Sequence, residues 1–247
     1  MATLFHVSDL HFGYEDRDAL DWFLGAVERD RPDAVLCTGD LTMRGSAREF
    51  ALAQAWLAKV PVPIALVPGN HDVPYYNHLL RRLTTPYARY LALEAQFPAP
   101  EVPGVAIVPL KTIARAQWRL NWSKGRVSNR DLDTATNALE RHRECGLRIV
   151  IGHHPLVDAD TESSGSTRGG RRAMAALARA GAQVVLSGHV HDAFDMTVEA
   201  GEGQQLRLIG AGTLSRRLRS TAPGYNRLDW DGAGALEVSL KTWGEGQ

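Results

Sequence analysis

The feature that most constrains the fold is a series of short apolar runs, each ending abruptly in a polar loop that usually contains glycine. Runs of this length with many β-branched residues are typical of buried strands. Helical patterns lie between most of these runs, which predicts an α/β core built on mixed sheets. The five runs span residues 3–7, 34–37, 64–67, 147–151 and 183–186.

Helices are predicted from apolar periodicity and from capping residues. An apolar stripe at positions i, i+3, i+4 and i+7 predicts a helix over residues 16–30. Ser46, with Glu49 three residues later, predicts a capped helix start, and Ser128 with Asp131 predicts another. The other predicted helices span 79–83, 87–93 and 171–180, and the other predicted strands span 105–110, 112–114, 195–200, 205–209, 225–230 and 235–241.

Chain length and charge narrow the class of protein. The 247 residues can bury a core as one domain, and we expect a single domain over 1–247 with a β-rich part at 193–247. Because 28 Lys and Arg residues balance 28 Asp and Glu residues, no broad basic field favours nucleic acid or a membrane surface. No apolar stretch reaches the length of a membrane span, no signal-peptide pattern is present, and two cysteines fit a reducing compartment. We therefore expect a cytoplasmic protein.

The loops after the five strands carry the same few polar residue types. In open α/β sheets, ligands bind beyond the carboxyl ends of the strands, and Asp, Asn and His are metal ligands or acid–base groups. Glycine precedes the polar residue in four loops, which permits close backbone approach. The polar residues are Asp9, His11, Asp40, Asn70, His71, Asp72, His153, His154, His189 and His191, and the glycines are Gly39, Gly69, Gly152 and Gly188.

Each of these residues taken alone has a structural alternative. A single Asp or His after a strand is more often a helix cap or a solvated turn residue. His6, inside the first strand, is predicted to be structural, and His78 and His142 are predicted to face solvent. Yet six of the nine histidines fall in these loops, and five independent coincidences explain that poorly. A metal site is the favoured interpretation.

The ordered motifs DLH, GD, GNHD, GHHP and GHVH resemble those of the calcineurin-like metallophosphoesterases over about residues 3–192. Within that superfamily, the short chain and the GNHD motif resemble the bacterial class III cyclic-nucleotide phosphodiesterases and their broader phosphodiesterase relatives. A looser similarity to the tail of that group lies at 211–213. The resemblance implies a four-layer αββα sandwich with mixed β-sheets and a dinuclear metal centre between the motif loops.

The resemblance also implies which residues bind each metal ion. One ion would take Asp9, His11, Asp40 and His191, and the other would take Asp40, Asn70, His153 and His189, with Asp40 bridging and His154 a neighbour. Imidazole, carboxylate and amide ligands without thiolate favour Mn, Fe, Zn or Co over a closed structural zinc site. Two such ions about 3.5–4 Å apart would activate a bridging water as hydroxide and offset phosphoryl charge.

His71 is the candidate acid or transition-state stabiliser, because it adjoins the ligand Asn70 without being assigned to a metal. Asp72 is predicted either to orient the His71 imidazole or to serve only as a turn residue. Arg44 follows the bridging Asp40 by four residues, so it is a candidate phosphate contact or an ordinary surface residue. Met43 stands where the protein phosphatases carry a second aspartate, which disfavours protein phosphatase activity.

The remaining segments say less about the substrate. Trp122, in the basic stretch 119–128, would suit a nucleotide base, although an amphipathic strand and turn is the favoured interpretation. The loop 159–170 is predicted to be an ordinary surface loop rather than a lid, and the basic run at 216–219 is predicted to be a solvated face.

The expected activity is metal-dependent hydrolysis of small phosphodiesters, with 3′,5′-cyclic nucleotides as a candidate subgroup. A small-molecule phosphomonoesterase or a nuclease using the same site are alternatives, and neutral net charge counts against the nuclease. A non-catalytic scaffold is disfavoured because every ligand position is filled. Residues 73–103 and the C-terminal strands are the candidate surface of a homodimer.

Overall fold

The computed structural model describes residues 1–74, 79–113, 124–159, 161 and 167–244, without the side chain at position 79. Within these residues it contains ten strands and six helices. The strands are β1 (Ala2–Val7), β2 (Ala34–Cys37), β3 (Ile64–Leu66), β4 (Val105–Pro109), β5 (Leu147–Ile151), β6 (Val184–Ser187), β7 (Phe194–Gly201), β8 (Gln204–Gly210), β9 (Gly224–Trp230) and β10 (Leu236–Thr242). The helices are α1 (Arg17–Asp30), α2 (Ala47–Leu57), α3 (Leu79–Thr84), α4 (Ala88–Glu94), α5 (Asn129–Arg141) and α6 (Gly170–Arg179).

Two five-stranded mixed sheets form the centre of the fold. Their strand orders are β10-β9-β1-β2-β3 and β4-β5-β6-β8-β7. The strands β1, β2 and β3 are parallel, as are β4, β5, β6 and β8, whereas β9, β10 and β7 pair antiparallel at one side of each sheet. The parallel strands of each sheet therefore deliver their carboxyl ends to one edge.

Alternating side chains on the strands serve two different cores. On β1, Leu4 points into a core between the two sheets, where it joins Leu36 and Ile149, while Phe5 points outward against Phe23 of α1. Helices α5 and α6 cover the outer face of the second sheet in a third core. Because successive side chains of a strand point to opposite faces, this arrangement gives four layers, and the predicted αββα sandwich is confirmed.

Side chains cap the starts of three helices, and two of these caps, at α2 and α5, are the predicted ones. The Asp16 carboxylate accepts from the amides of the first turn of α1. Ser46 Oγ accepts from the Glu49 amide at 3.2 Å, and the Glu49 carboxylate accepts from the Ser46 amide at 3.0 Å, which completes the predicted capping box. Ser128 caps α5 in the predicted manner.

The predicted strand at 112–114 is wrong for its first two residues, because Thr112 and Ile113 lie in irregular structure where the Thr112 hydroxyl contacts the ring of His154. Ala114 lies outside the described residues, as do His78, Trp122 and half of the loop 159–170. His142 is exposed at the end of α5, as predicted. Among the described helices, none is long and apolar enough to cross a membrane.

Replacing Leu36 by Ala is expected to lower the free energy of unfolding by about 2–5 kcal/mol, because Leu36 is fully buried in the core between the sheets. Chemical denaturation monitored by circular dichroism measures the change. Leu80→Ala is the control, since Leu80 is 76% exposed. Equal losses for the two variants would contradict the central position of that core.

Candidate metal centre

The loops after β1, β2, β5 and β6 are tied together by hydrogen bonds that backbone amides donate to carbonyls and to one carboxylate. The Asp9 amide donates to the Gly39 carbonyl at 3.0 Å, and the His11 amide donates to the Asp40 carbonyl at 3.0 Å. Between the sheets, the His189 amide donates to Asp9 Oδ2 at 2.9 Å. Loops that are distant in sequence are thereby fixed against one another at the carboxyl edge of both sheets.

Five of the predicted ligand residues have a left-handed backbone. Among the described residues other than glycine, seven have positive φ, and five of these seven are predicted metal ligands. Each left-handed residue costs roughly 1–2 kcal/mol in an L-amino acid, and such strain persists only where the surroundings over-determine it. The loops are therefore held in conformations that serve the positions of these side chains. The five are Asp9, His11, Asp40, His189 and His191, with φ of 56°, 46°, 51°, 71° and 62°.

Two of the predicted glycines are required because the backbone passes directly against a ligand residue. A Cβ atom added at Gly69 would lie 2.0 Å from Asp40 Oδ1 and 2.1 Å from the Asp40 amide nitrogen. A Cβ added at Gly188 would lie 1.8 Å from Ser8 Oγ and 2.5 Å from Asp9 Oδ2. No side chain fits at either position, so these glycines allow the loops to close around the carboxylates.

Asp9, His11 and His191 form the first cluster of candidate ligands. His191 Nε2 lies 3.1 Å from Asp9 Oδ1 and 3.2 Å from His11 Nε2, and His11 Nε2 lies 3.5 Å from Asp9 Oδ1. With metal–ligand bonds of about 2.1 Å, ligand atoms in tetrahedral or octahedral positions lie about 3.0–3.4 Å apart. These separations fit one cation among the three atoms.

His153, Asn70 and Asp40 form the second cluster. His153 Nε2 lies 3.1 Å from Asn70 Oδ1 and 3.4 Å from Asp40 Oδ2. The His189 ring lies 5.2 Å from the His153 ring, measured between centroids. Asp40 Oδ2 is also 3.8 Å from His11 Nε2, so this oxygen lies between the two clusters. Its other oxygen accepts from the His71 amide at 2.8 Å, which fixes the carboxylate in that orientation.

Backbone carbonyls fix the histidine rings from behind. His153 Nδ1 lies 2.8 Å from the Thr38 carbonyl, and His191 Nδ1 lies 2.7 Å from the Arg217 carbonyl. A longer contact of 3.4 Å joins His11 Nδ1 to the Thr42 carbonyl. Because Nδ1 must donate a proton to a carbonyl, a neutral ring presents the lone pair of Nε2 toward the cluster, which is how metal-binding histidines are oriented.

In the first cluster, hydrogen-bond acceptors of three side chains face one another. When Nδ1 carries the ring proton, the Nε2 lone pairs of His11 and His191 approach one another at 3.2 Å. Asp9 Oδ1 is buried and makes no hydrogen bond among the described residues, although His191 Nε2 lies 3.1 Å away. Lone pairs and a carboxylate oxygen in this arrangement repel unless a cation lies between them. The donor set therefore fits a metal ion.

When no metal ion is bound, protons on histidine compensate part of the negative charge of the buried carboxylates. Burial works against ionisation of Asp40, but the neighbouring His153 and His71 outweigh it and hold the Asp40 pKa far below its usual value. Burial also disfavours the charged form of His153, yet Asp40 raises the His153 pKa to about 9. At His189, burial and His153 lower the pKa to about 3, which leaves that ring neutral. The carboxylates thus attract positive charge at the position proposed for metal.

His71 and Asp72 occupy different positions in the loop after β3. His71 Nδ1 lies 2.7 Å from the Met43 carbonyl, and its Nε2 lies 4.0 Å from Asp40 Oδ2 at the rim of the cluster. The Asp72 carboxylate accepts instead from the amides of Gly69 and Thr42, at 2.8 and 2.9 Å. The hypothesis that Asp72 orients the His71 imidazole is therefore wrong, because its oxygens are used to hold the loops. These contacts favour the alternative prediction, in which Asp72 serves as a turn residue.

Arg217 is the site residue that sequence reasoning missed. Its Nη1 lies 3.0 Å from His71 Nε2 and 3.5 Å from His11 Nε2, so the predicted solvated face at 216–219 is wrong for this residue. Arg44 is exposed beside a cleft that Arg217 also lines. His6, in contrast, is buried and lies 3.0 Å from the Thr38 hydroxyl, which confirms its structural role.

Comparison with known proteins confirms the family expected from the motifs. The family described as calcineurin-like phosphoesterase matches residues 2–193. The glycerophosphodiester phosphodiesterase GpdQ of Enterobacter lignolyticus is 34% identical over 80 residues, which cover 28% of this chain and 29% of that protein. A probable cyclic nucleotide phosphodiesterase of Synechococcus sp. is 24% identical over 204 residues, or 78% of this chain and 74% of that one.

Solved structures with the same fold include two phosphatases. A dimetal phosphatase from Danio rerio superposes with a TM-score of 0.70 at 14% identity and covers 98% of this chain and 99% of its own. A purple acid phosphatase from yellow lupin has a TM-score of 0.72 at 12% identity and covers all of this chain and 52% of its own. At these identities, the likeness extends to the fold.

Replacing Gly69 by Ala is expected to abolish most metal binding, because the new Cβ would strike Asp40. Gly25→Ala is the matched control, since a Cβ there meets nothing within 4 Å and Ala favours a helix interior. Metal content after loading with Mn²⁺ and gel filtration is the measurement. Retention of the full metal content by Gly69→Ala would contradict the role given to this close approach.

Proposed function

We propose that the chain, a metal-dependent phosphoester hydrolase that belongs to the calcineurin-like phosphoesterase family, acts on small phosphodiesters at a centre holding two metal ions. The observation that carries this proposal is the position of Asp40 Oδ2. It lies 3.4 Å from His153 Nε2 in one cluster and 3.8 Å from His11 Nε2 in the other. One carboxylate oxygen within reach of two clusters is what a dinuclear site requires.

The proposed ligands divide as the two clusters do. One ion would be held by Asp9, His11, His191 and Asp40, and the other by Asp40, Asn70, His153 and His189. Oxygen and imidazole ligands suit Mn, Fe or Zn. Such a pair, when bound, activates water and offsets charge on the phosphoryl group. The chain supplies the fixed rings and carboxylates that keep this arrangement in place without reorganisation.

His71 is the residue proposed to contact the reacting phosphoryl group or the leaving oxygen. Its Nδ1 is held by the Met43 carbonyl, so Nε2 is the atom that faces the rim of the centre. That atom lies 3.0 Å from Arg217 Nη1, which brings a fixed positive charge to the same point. An imidazole and a guanidinium at one position suit proton transfer and binding of a phosphoryl oxygen.

Two observations favour diesters as the substrate class. The relatives named above include a glycerophosphodiester phosphodiesterase and a probable cyclic nucleotide phosphodiesterase. The described motif loops carry GNHD, the motif on which the resemblance to the cyclic-nucleotide group rests. We therefore propose 3′,5′-cyclic nucleotides as one candidate substrate among small diesters.

Hydrolysis of bis-p-nitrophenyl phosphate is expected to require Mn²⁺ and to be lost with chelator, with slower turnover of p-nitrophenyl phosphate. Asp40→Asn should abolish turnover because a neutral amide cannot attract two cations, while Asp133→Asn on the exposed face of α5 is the control.

His71→Ala should lower kcat by about 10²–10⁴-fold with metal content unchanged. Turnover of 3′,5′-cyclic AMP then tests the proposed subgroup.

A preference for p-nitrophenyl phosphate would replace the proposed diesterase with a phosphomonoesterase that uses the same centre. Cleavage of single-stranded or duplex DNA in preference to every small diester would indicate a nuclease. Equal kcat for wild type and His71→Ala would exclude the role given to that imidazole.

A further inference from the structure

A cleft of about 880 Å³ lies beside the proposed metal centre and is rich in arginine. It is bounded by the loop after β1, the start of α2 and the segment after β8. The charged residues that line it are Arg17, Arg44, Arg48, Arg217, Glu15 and Glu49. Four arginines against two glutamates give the cleft a formal charge of +2, whereas the whole chain has a net charge of zero.

The two glutamates are already engaged by the backbone. Glu49 Oε2 accepts from the amides of Arg44 and Ser46 at 2.9 and 3.0 Å, as part of the capping box of α2. Glu15 Oε2 accepts from the Gly13 amide at 2.6 Å, and its other oxygen lies 3.7 Å from Arg17 Nε. Both carboxylates therefore serve the loops and neutralise only part of the positive charge.

Three of the guanidinium groups have no acidic partner in the part of the chain that the structure describes. No described carboxylate lies within 4.0 Å of the side-chain nitrogens of Arg44, Arg48 or Arg217. Elsewhere, Arg207 and Arg227 form close ion pairs with aspartates. Arginine side chains that line a concave surface and lack carboxylate partners are suited to bind an anion.

Two residues that line the cleft contact histidines of the candidate metal centre. Arg217 lines the cleft, and its Nη1 lies 3.0 Å from His71 Nε2 and 3.5 Å from His11 Nε2. Met43 also lines the cleft, and its carbonyl holds His71 Nδ1 at 2.7 Å. A substrate with its reacting phosphoryl group at the centre would therefore extend into the arginine-rich space.

We propose that this cleft is a subsite for a second anionic group of the substrate, a phosphate or a carboxylate, borne by the same molecule as the reacting diester. The inference rests on the proposed function, since it assumes that the diester reacts at the metal centre. Arg217 would lie at the junction, and Arg44 and Arg48 would contact the distal anion. The preferred substrates are then small diesters with an additional negative charge rather than diesters that carry a single one.

The test compares matched substrates of the metal-loaded full chain. Thymidine 5′-(p-nitrophenyl phosphate) carries one charge, and its 3′-phosphate and 3′-O-succinyl derivatives add a phosphate or a carboxylate. Since a hydrogen bond between charged groups contributes enough for a roughly tenfold effect or more, kcat/KM should be at least about tenfold higher for the 3′-phosphate. The succinyl derivative shows whether a carboxylate suffices.

The double variant Arg44→Gln/Arg48→Gln should bring the ratio of kcat/KM values for the 3′-phosphate and the parent ester close to one, mainly through KM. Arg130→Gln is the control, because Arg130 is exposed on α5, which packs on the other sheet. A ratio near one in the wild-type protein would overturn the subsite, while cleavage of the parent ester would leave the proposed function intact.

If neither ester is cleaved, the proposed function fails and the subsite is decided by binding. Isothermal titration with thymidine 3′,5′-bisphosphate and with thymidine 5′-phosphate measures the contribution of the second phosphate directly. At least about tenfold tighter binding of the bisphosphate, lost in Arg44→Gln/Arg48→Gln, supports the subsite. Equal affinities overturn it.

Discussion

Two buried carboxylates that face the Nε2 atoms of neighbouring histidines are the constraint on which the rest of the site depends. Asp9 and Asp40 are almost fully buried, and no described lysine or arginine pairs with either of them. A buried carboxylate without compensation is strongly destabilising. A proton on His153 compensates for Asp40 when no cation is bound, and a bound cation would do so more completely. The loops therefore hold these carboxylates in an arrangement that is stable only with positive charge beside them.

The strain in the loops follows from that demand. Holding five predicted ligand residues in the left-handed region costs several kcal/mol in sum, at roughly 1–2 kcal/mol each. The cost is sustained because the loops are tied to each other and stand on the carboxyl ends of buried parallel strands. Asp72 is part of this support, since its carboxylate binds the amides of two neighbouring loops. Within the motif GNHD, His71, which is proposed to act on the substrate, is thus distinct from Asp72, which holds the loops.

Much of the fold and most of the centre follow from local sequence signals. The starts of α2 and α5 were predictable because Ser46 and Ser128 cap them through contacts with the residue three positions later, whereas α1 was predicted from its apolar stripe. The loop residues were predictable because strand ends meet at one edge of each sheet. The predicted strand failed at residues 112 and 113, because its apolar pattern is short and the Thr112 hydroxyl binds the adjoining loop.

Arg217 could not be predicted because its position depends on long-range contacts. Thr213 Oγ1 donates to the Asp9 carbonyl at 2.6 Å, Ser215 contacts Thr213 at 2.7 Å, and the Arg217 amide donates to Ser215 at 3.2 Å. These hydrogen bonds hold the basic segment 216–219 beside the candidate centre, although Arg217 is 206 residues from His11 in sequence. From the sequence alone, this segment was predicted to be a solvated face. The family fold positions the candidate metal centre, and this later segment supplies Arg217 to the proposed anion subsite beside it.

The dinuclear centre is tested most directly by anomalous diffraction from crystals of the wild-type chain soaked in Mn²⁺. We expect two manganese peaks, one beside Asp9, His11 and His191 and one beside Asn70 and His153, with Asp40 between them. A single peak, or peaks outside this set of residues while the loops keep the conformation described above, would contradict the dinuclear centre.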